Sequence, residues 1–321
     1  MKARSILRYA VIAMAALALL VAAGVAASWA PDVPVDSLKA RWAGAPSQFI
    51  AVDGMQVHLR DEGPRDDPSP MVLLHGTSAS LHTWEGWAQA LRGQRRVIRF
   101  DLPGFGLTGP HPRAAYGIEQ DYPSFVMAVL DQLKVQRFVL AGNSLGGQIA
   151  WHTALAAPQR VDKLILVDAG GFPPESMSVP LAFQIGRIPA LAPLMRNILP
   201  RSLVQSSLRN VYGQPEKVTP ELVDLFYDMA RREGNRAALN ARMQRGYQSD
   251  VARLAQINTP TLILWGAQDR LIPPSHGERF ERAIAGSKRV VFAQLGHVPH
   301  EEDAAQTVAV VQQFLKSRRA P

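Results

Sequence analysis

The sequence predicts an α/β protein built on a mostly parallel sheet covered by helices on both faces, and three observations predict it. Short, apolar, β-rich runs at Met71 to Leu74, Val97 to Phe100, Phe138 to Ala141, Lys163 to Val167 and Thr261 to Trp265 lack polar alternation, so each reads as a strand buried on both faces. Between most of them the pattern turns helical, about Trp84 to Leu91, Glu119 to Leu133, Leu145 to Ala157 and Pro274 to Ile284. The chain, 321 residues with 47% hydrophobic and 19% charged, is long enough for one large domain plus an insertion.

From the beginning, Tyr9 to Ser28 is a run of 20 uncharged residues preceded by Lys2, Arg4 and Arg8. At 1.5 Å rise per residue that length matches the hydrocarbon core, so residues 1–30 are expected to be a membrane anchor. Val25-Ala26-Ala27 is also a usable signal-cleavage site, which keeps a secreted form open as the alternative. In either case the basic N-terminal side is expected to stay cytoplasmic and the body to face the exterior, in a Gram-negative cell from the inner membrane into the periplasm. Trp29 is then expected at the outer interface, with Pro31 and Pro34 ending the helix and a linker over 31–46.

A hairpin follows, with strands Gln48 to Val52 and Met55 to Asp61 around Asp53-Gly54. The catalytic body is assigned to 47–171 and 256–317, ending in a strand at Arg289 to Ala293 and a helix at Ala304 to Lys316. Residues 172–255 interrupt the alternation: no buried strand is evident, and helical stretches are punctuated by Pro180, Pro189, Pro200, Pro215 and Pro220. A structureless loop of that length would be improbable in a compact domain, so this reads as a helical cap over one edge of the sheet. Its apolar residues Val179, Leu181, Phe183, Ile185, Ile188, Leu191, Leu194, Met195, Ile198 and Leu199 would suit an apolar acyl group, or would simply pack the cap onto the body.

The motifs sit at strand ends. Strand Phe138 to Ala141 runs into Gly142-Asn143-Ser144-Leu145-Gly146-Gly147 and then a helix, the placement that lifts a nucleophilic serine clear of a sheet. A serine hydroxyl needs a base, and the base needs an orienting acid. Asp269 follows strand Thr261 to Trp265 and His297 follows strand Arg289 to Ala293, giving the order Ser, Asp, His. His300 is the competing base and Asp168 the competing acid. For a tetrahedral intermediate, the Leu145 N–H and an N–H of His75-Gly76-Thr77-Ser78, first of all Thr77, are the expected donors. His75 is expected to hold that loop by backbone hydrogen bonds, and Asp101 to hold the turn Leu102-Pro103-Gly104-Phe105-Gly106.

The absence of cysteine excludes disulfides, thiolate metal sites and a cysteine nucleophile. A net charge of +8 raises nucleic-acid binding, but the densest basic stretch, Arg231 to Arg245, is preceded and broken by Asp224, Asp228 and Glu233 and carries no groove-reading motif. Anionic lipid is the better match for that charge beside a membrane segment. The partners expected are a lipophilic small-molecule substrate and the membrane, with no nucleic acid; oligomeric state is left open.

Taken together, His75-Gly76, Asp101 to Gly106, Gly142 to Gly147, Trp265 to Asp269 and Gly296-His297 resemble the α/β-hydrolase superfamily over about Phe49 to Leu315. The chain looks most like its capped serine hydrolases, in which esterases, lipases and carbon–carbon bond hydrolases are mixed. The resemblance implies an eight-stranded sheet, a helical cap, no metal or organic cofactor, and an acyl-enzyme or equivalent intermediate. Ser144 stands where epoxide hydrolases and haloalkane dehalogenases carry aspartate, which disfavours those activities. Carbon–carbon hydrolases often share an Asn beside the serine, as Asn143 does, but typically carry Trp where this chain has Val298. The leading expectation is carboxylic-ester hydrolysis; carbon–carbon cleavage of a ring-cleavage diketone and an inactive anchored binding protein are the rivals.

Overall fold

In a computed structural model, residues 2–113, 116–175, 177–186, 188, 196–246 and 249–316 are described. Helix α1 (Lys2–Ala27) is followed by a short helix α2 (Val35–Trp42) and the hairpin β1 (Ser47–Val52) and β2 (Met55–Glu62). Strand β3 (Met71–Leu74), helix α3 (Glu85–Leu91), strand β4 (Val97–Phe100), helix α4 (Asp121–Gln132), strand β5 (Phe138–Asn143), helix α5 (Leu145–Ala156) and strand β6 (Val161–Val167) complete the first part of the body. The cap contributes α6 (Leu181–Gly186), α7 (Arg201–Val211), α8 (Pro220–Arg231) and α9 (Asn235–Gln244). The body resumes with β7 (Thr261–Gly266), α10 (Pro274–Ala283), β8 (Lys288–Phe292), α11 (Pro299–Glu302) and α12 (Ala304–Lys316).

The eight strands form one sheet in the order β1-β2-β4-β3-β5-β6-β7-β8, parallel except for β2, which pairs antiparallel with both β1 and β4. The apolar runs are buried on both faces for a simple reason: side chains alternate along a strand. Val72 and Leu74 join Ile98, Leu140, Leu164 and Ile263 beneath α4, α5 and α10, while Met71 and Leu73 join Val97, Val139, Ile165 and Leu262 on the face covered by α3 and α12. Helix α5 is buried from Leu145 to Ala154, as a helix at the centre of such a sandwich must be.

The chain order reverses between β3 and β5: β4 lies on one side of β3, and β5 on the other. Ligands of open parallel sheets bind in the crevice that such a reversal opens beyond the carboxyl ends of the strands. The loops holding Gly76 to Ser78 and Ser144 flank that crevice.

The stretch expected as a linker is folded onto the cap. Eight residues make a marginal helix by themselves, but Leu38 of α2 is buried among Leu107, Leu225 and Met229. Around it Arg41 pairs with Asp224 at 3.0 Å and Asp228 at 3.1 Å, and the Trp42 indole donates to Asp228 at 2.9 Å. Upstream, Ala30 N–H donates to Asn197 at 2.8 Å, Leu199 N–H to Ser28 at 2.9 Å, and Asp32 pairs with Arg236 at 2.6 Å. The prolines at 31 and 34 therefore bend a docked strap. Helix α1 includes a 22-residue stretch, Ile6–Ala27, long and apolar enough to cross a membrane, none of it buried.

Candidate active site

Ser144 joins β5 to α5 with φ 54° and ψ −115°, a left-handed backbone that an L-residue adopts only under constraint. The glycines around it explain how. A Cβ on Gly142 would lie 2.2 Å from the Gly146 carbonyl oxygen, and one on Gly146 would lie 2.2 Å from that of Leu74, so the turn closes only without side chains. The Ser144 N–H donates to Val167 at 3.0 Å, tying the turn to β6.

The structure brings the three sequence-predicted residues to the same end of the sheet. His297 Nδ1 lies 2.7 Å from Asp269 Oδ2, and Asp269 Oδ1 accepts the Leu271 and Ile272 N–H groups at 2.8 and 2.9 Å. Ser144 and His297 line one cavity of about 210 Å³. His300 lines it too, but its ring stacks on Trp84 at 4.0 Å, both nitrogens are buried without a hydrogen bond, and burial lowers its pKa to about 3. It has no acid to orient it.

Asp168, the competing acid, is wholly buried beside Asp269. Its Oδ1 accepts the Gly266 N–H at 3.0 Å, and burial, reinforced by the Asp269 charge, raises its pKa well above the carboxylate range. Ligand atoms of Asp168, Asp269 and His297 fall within 4.8 Å of one another. The 2.7 Å His297–Asp269 contact is a hydrogen-bond distance, shorter than the roughly 3.3 to 3.6 Å that two tetrahedral ligands keep from one another around an ion at about 2.0 to 2.2 Å from each. These residues fit a hydrogen-bonded pair better than a metal centre.

The loop after β3 lies against the serine: a Cβ on Gly76 would be 3.2 Å from that of Ser144, with Thr77 next in the cavity wall. Leu145 is the first residue of α5, so its N–H has no intrahelical acceptor. His75 sits beneath the loop as expected, Nε2 accepting from Leu102 N–H at 2.9 Å and Nδ1 donating to Gly76 carbonyl at 2.8 Å. Asp101 accepts the Leu81 and Leu107 N–H groups, each at 2.7 Å, and also pairs with His58 at 2.8 Å.

Two positioning residues escape sequence reasoning. Asn143 donates to the His297 carbonyl at 2.9 Å, linking the strand before Ser144 to the histidine's loop. Glu302 accepts Gly296 N–H at 2.7 Å with one oxygen and the cap's Gly213 and Gln214 N–H groups at 2.9 and 3.1 Å with the other. His297 N–H itself donates to Val211 at 2.8 Å, so the cap is stitched to the histidine's loop. Nothing local in the sequence marks Glu302; its partners are brought together by the fold.

The apolar wall differs from the expected one. Phe183 and Leu199 line the cavity, but Leu181 and Ile188 are 55% and 47% exposed, and Leu191, Leu194 and Met195 fall outside the described residues. The cap's share of the wall comes mainly from α7, α8 and α9, through Val204, Leu208, Val211, Phe226, Leu239 and Met243. On α8, Phe226 faces the cavity while Leu225 and Met229 meet the strap. Glu301 also lines the cavity, where burial pushes its carboxyl up to about 8.

A family model for the alpha/beta hydrolase fold matches residues 69–304. The chain belongs to the α/β-hydrolase family. As an α/β hydrolase it is 30% identical over 278 residues to 2-hydroxy-6-oxo-2,4-heptadienoate hydrolase of Pseudomonas putida, covering 84% of this chain and 95% of that protein. It is 31% identical over 287 residues to 2-hydroxy-6-oxononadienedioate/2-hydroxy-6-oxononatrienedioate hydrolase of Cupriavidus pinatubonensis, with the same coverage. Among solved structures, a membrane phospholipase A described as a bacterial virulence factor aligns with TM-score 0.72 at 26% identity, over 98% of each chain. With named hydrolases among these relatives, the α/β hydrolase is an enzyme of the hydrolase class.

Proposed function

We propose that this hydrolase cleaves a carboxylic ester with an apolar acyl group, using Ser144 as nucleophile, His297 as base and Asp269 as orienting acid. The observation that carries the reading is the 2.7 Å His297–Asp269 contact facing the same apolar cavity as a strained Ser144. His297 Nε2 takes the Ser144 proton as Oγ attacks the carbonyl carbon, and Asp269 stabilises the imidazolium. The N–H groups of Thr77 and Leu145 receive the oxyanion. The imidazolium then protonates the departing alcohol, and water attacks the acyl-enzyme to release the acid.

The anchor belongs to this proposal. Helix α1 leads directly into residues that pair with the cap at Asn197 and Leu199, and Leu199 lines the cavity, so the substrate pocket would stand close to the membrane that holds α1. Lipid-like esters are therefore the class proposed, with the body on the exterior or periplasmic face. Labelling by a fluorophosphonate probe tests the catalytic assignment: Ser144 is expected to react and S144A not to. An intact purified chain that stays unlabelled would overturn it.

Carbon–carbon cleavage is the second reading, favoured by the two relatives at 30% and 31% identity and by Asn143 beside the serine. Turnover of a ring-cleavage dienoate without hydrolysis of any nitrophenyl ester would replace the first reading by this one.

A further inference from the structure

A second chamber of about 720 Å³ adjoins the catalytic cavity, and Thr77, Phe183, Leu239 and Met243 stand in the walls of both. The two differ in chemistry. The catalytic cavity is walled mainly by aliphatic and aromatic side chains, whereas the second chamber carries Arg242 and Arg245 and, among the described residues, has no Asp or Glu in its wall. Arg242 is partly buried; it hydrogen-bonds the Tyr122 hydroxyl, which in turn donates to the Pro103 carbonyl at 2.8 Å. Arg245 Nη1 donates to the Tyr116 carbonyl at 2.8 Å. The Tyr122 hydroxyl and the Tyr116 carbonyl thus each take part in holding one guanidinium in place.

Basic residues at the end of α9 would suit its dipole wherever they pointed. Their side chains also reach an adjoining cavity of about 300 Å³ beside Tyr122, but the helix end does not account for their lining a chamber that begins at the expected oxyanion loop. We infer that this chamber is a subsite for the alcohol side of the substrate, and that it takes an anionic oxyacid group, phosphate or carboxylate, on Arg242 and Arg245. The inference rests on the ester-hydrolase reading. An acyl chain in the apolar cavity would place the scissile carbonyl at Ser144 and Thr77, leaving the alcohol to extend past Thr77 into the basic chamber. Burial of Arg242 and the like charge of Arg245 both press against its protonated form, a tension that an anion between them relieves. Two full charges outweigh the partial negative charge, about half a unit, of the helix end.

Matched substrate pairs test this on the full chain. 1-Octanoylglycerol 3-phosphate is compared with 1-octanoylglycerol, and 4-octanoyloxybutyrate with 4-octanoyloxybutyramide. The anionic member is expected to have at least about tenfold higher kcat/KM in one pair or both, the loss expected for a charge-assisted contact. A preference in the first pair alone assigns phosphate, and in the second alone carboxylate. R245Q, at an exposed position, is expected to cut that ratio severalfold, and R242Q/R245Q to bring it near one. A ratio near one in the unmodified chain, or one unmoved in R245Q, overturns the inference. Should R242Q/R245Q fail to fold, protection of Ser144 from fluorophosphonate by octyl phosphate against octanol decides the same question on the unmodified chain: stronger protection by the phosphate supports the subsite, and equal protection overturns it. Absence of labelling altogether would fail the ester-hydrolase reading instead; calorimetric binding of octyl phosphate, at least about tenfold weaker in R245Q, then still decides the chamber.

Discussion

The two walls of the catalytic cavity are built on different principles. On the body side, the site is fixed by directional hydrogen bonds: the Ser144 N–H to β6, Asp269 to two amides of its own loop, His75 to Leu102, the His297 ring to Asp269 and the His297 carbonyl to the Asn143 amide. On the cap side, Val204, Leu208, Val211 and Phe226 present apolar surface with no directional bond to a substrate. Polar contacts fix positions to a few tenths of an ångström, and apolar contacts fix only volume. On the proposed reading the body sets which bond can break, while the cap sets which molecules bring that bond to it.

The sharpest break in this comparison comes from two histidines that both touch the cavity. H297A is expected to lower kcat on the order of 10⁴-fold or more, since members of a catalytic triad act as a unit. H300A should lower it less than about tenfold, because that ring is a packing element on Trp84. Ester-hydrolysis kinetics of the two variants check this, and the reverse order would transfer the base to His300.

A cap substitution should alter selectivity more than chemistry. A230F fills part of the wall contributed by α8. If it excludes about two methylenes of acyl chain at ~0.8 kcal/mol each, the ratio of octanoyl to butyryl ester hydrolysis should fall about tenfold. Nitrophenyl esters of graded length measure it, and a uniform loss across lengths would place Ala230 outside the acyl path.

The smallest effect concerns Glu301, which stands where the two walls meet. Its carboxyl is pushed up to about 8 by burial, so the fold holds a proton that the unfolded chain releases above its ordinary range near 4.5. The folded state binds the extra proton, and stability falls as pH rises from about 4.5 through about 8. E301Q removes that slope. Its melting temperature should exceed the parent's by a few degrees near pH 8.5, with the gain lost near pH 4.5, as followed by circular dichroism. An equal shift at both pH values would mean that Glu301 is ionised in the fold.

Much of this is legible in order and spacing. Buried strands declare themselves through unbroken apolar runs, the Gly142 to Gly147 turn through the closeness of its backbone, and Asp269 and His297 through their places after strands. The strap is not legible, because prolines at 31 and 34 look like punctuation, while the fit of Leu38 against Leu225 and Met229 depends on residues nearly two hundred positions away. The cap's part of the cavity wall is hidden for the same kind of reason. Apolar residues in 179–199 and in α7 and α8 are alike as letters, and only the packing of the cap selects which face meets the cavity.

The sequence by itself determined the fold class, the tight turn at Ser144 and the order in which Asp269 and His297 follow it at strand ends, because these rest on local rules: strand period, turn sterics and chain order. The tertiary structure alone decided that Asn143 and Glu302 brace the histidine's loop, that the segment after α1 grips the cap, and that two arginines line a chamber beside Thr77. Those facts are distances between residues far apart in the chain, and a distance of that kind exists only once the chain has folded.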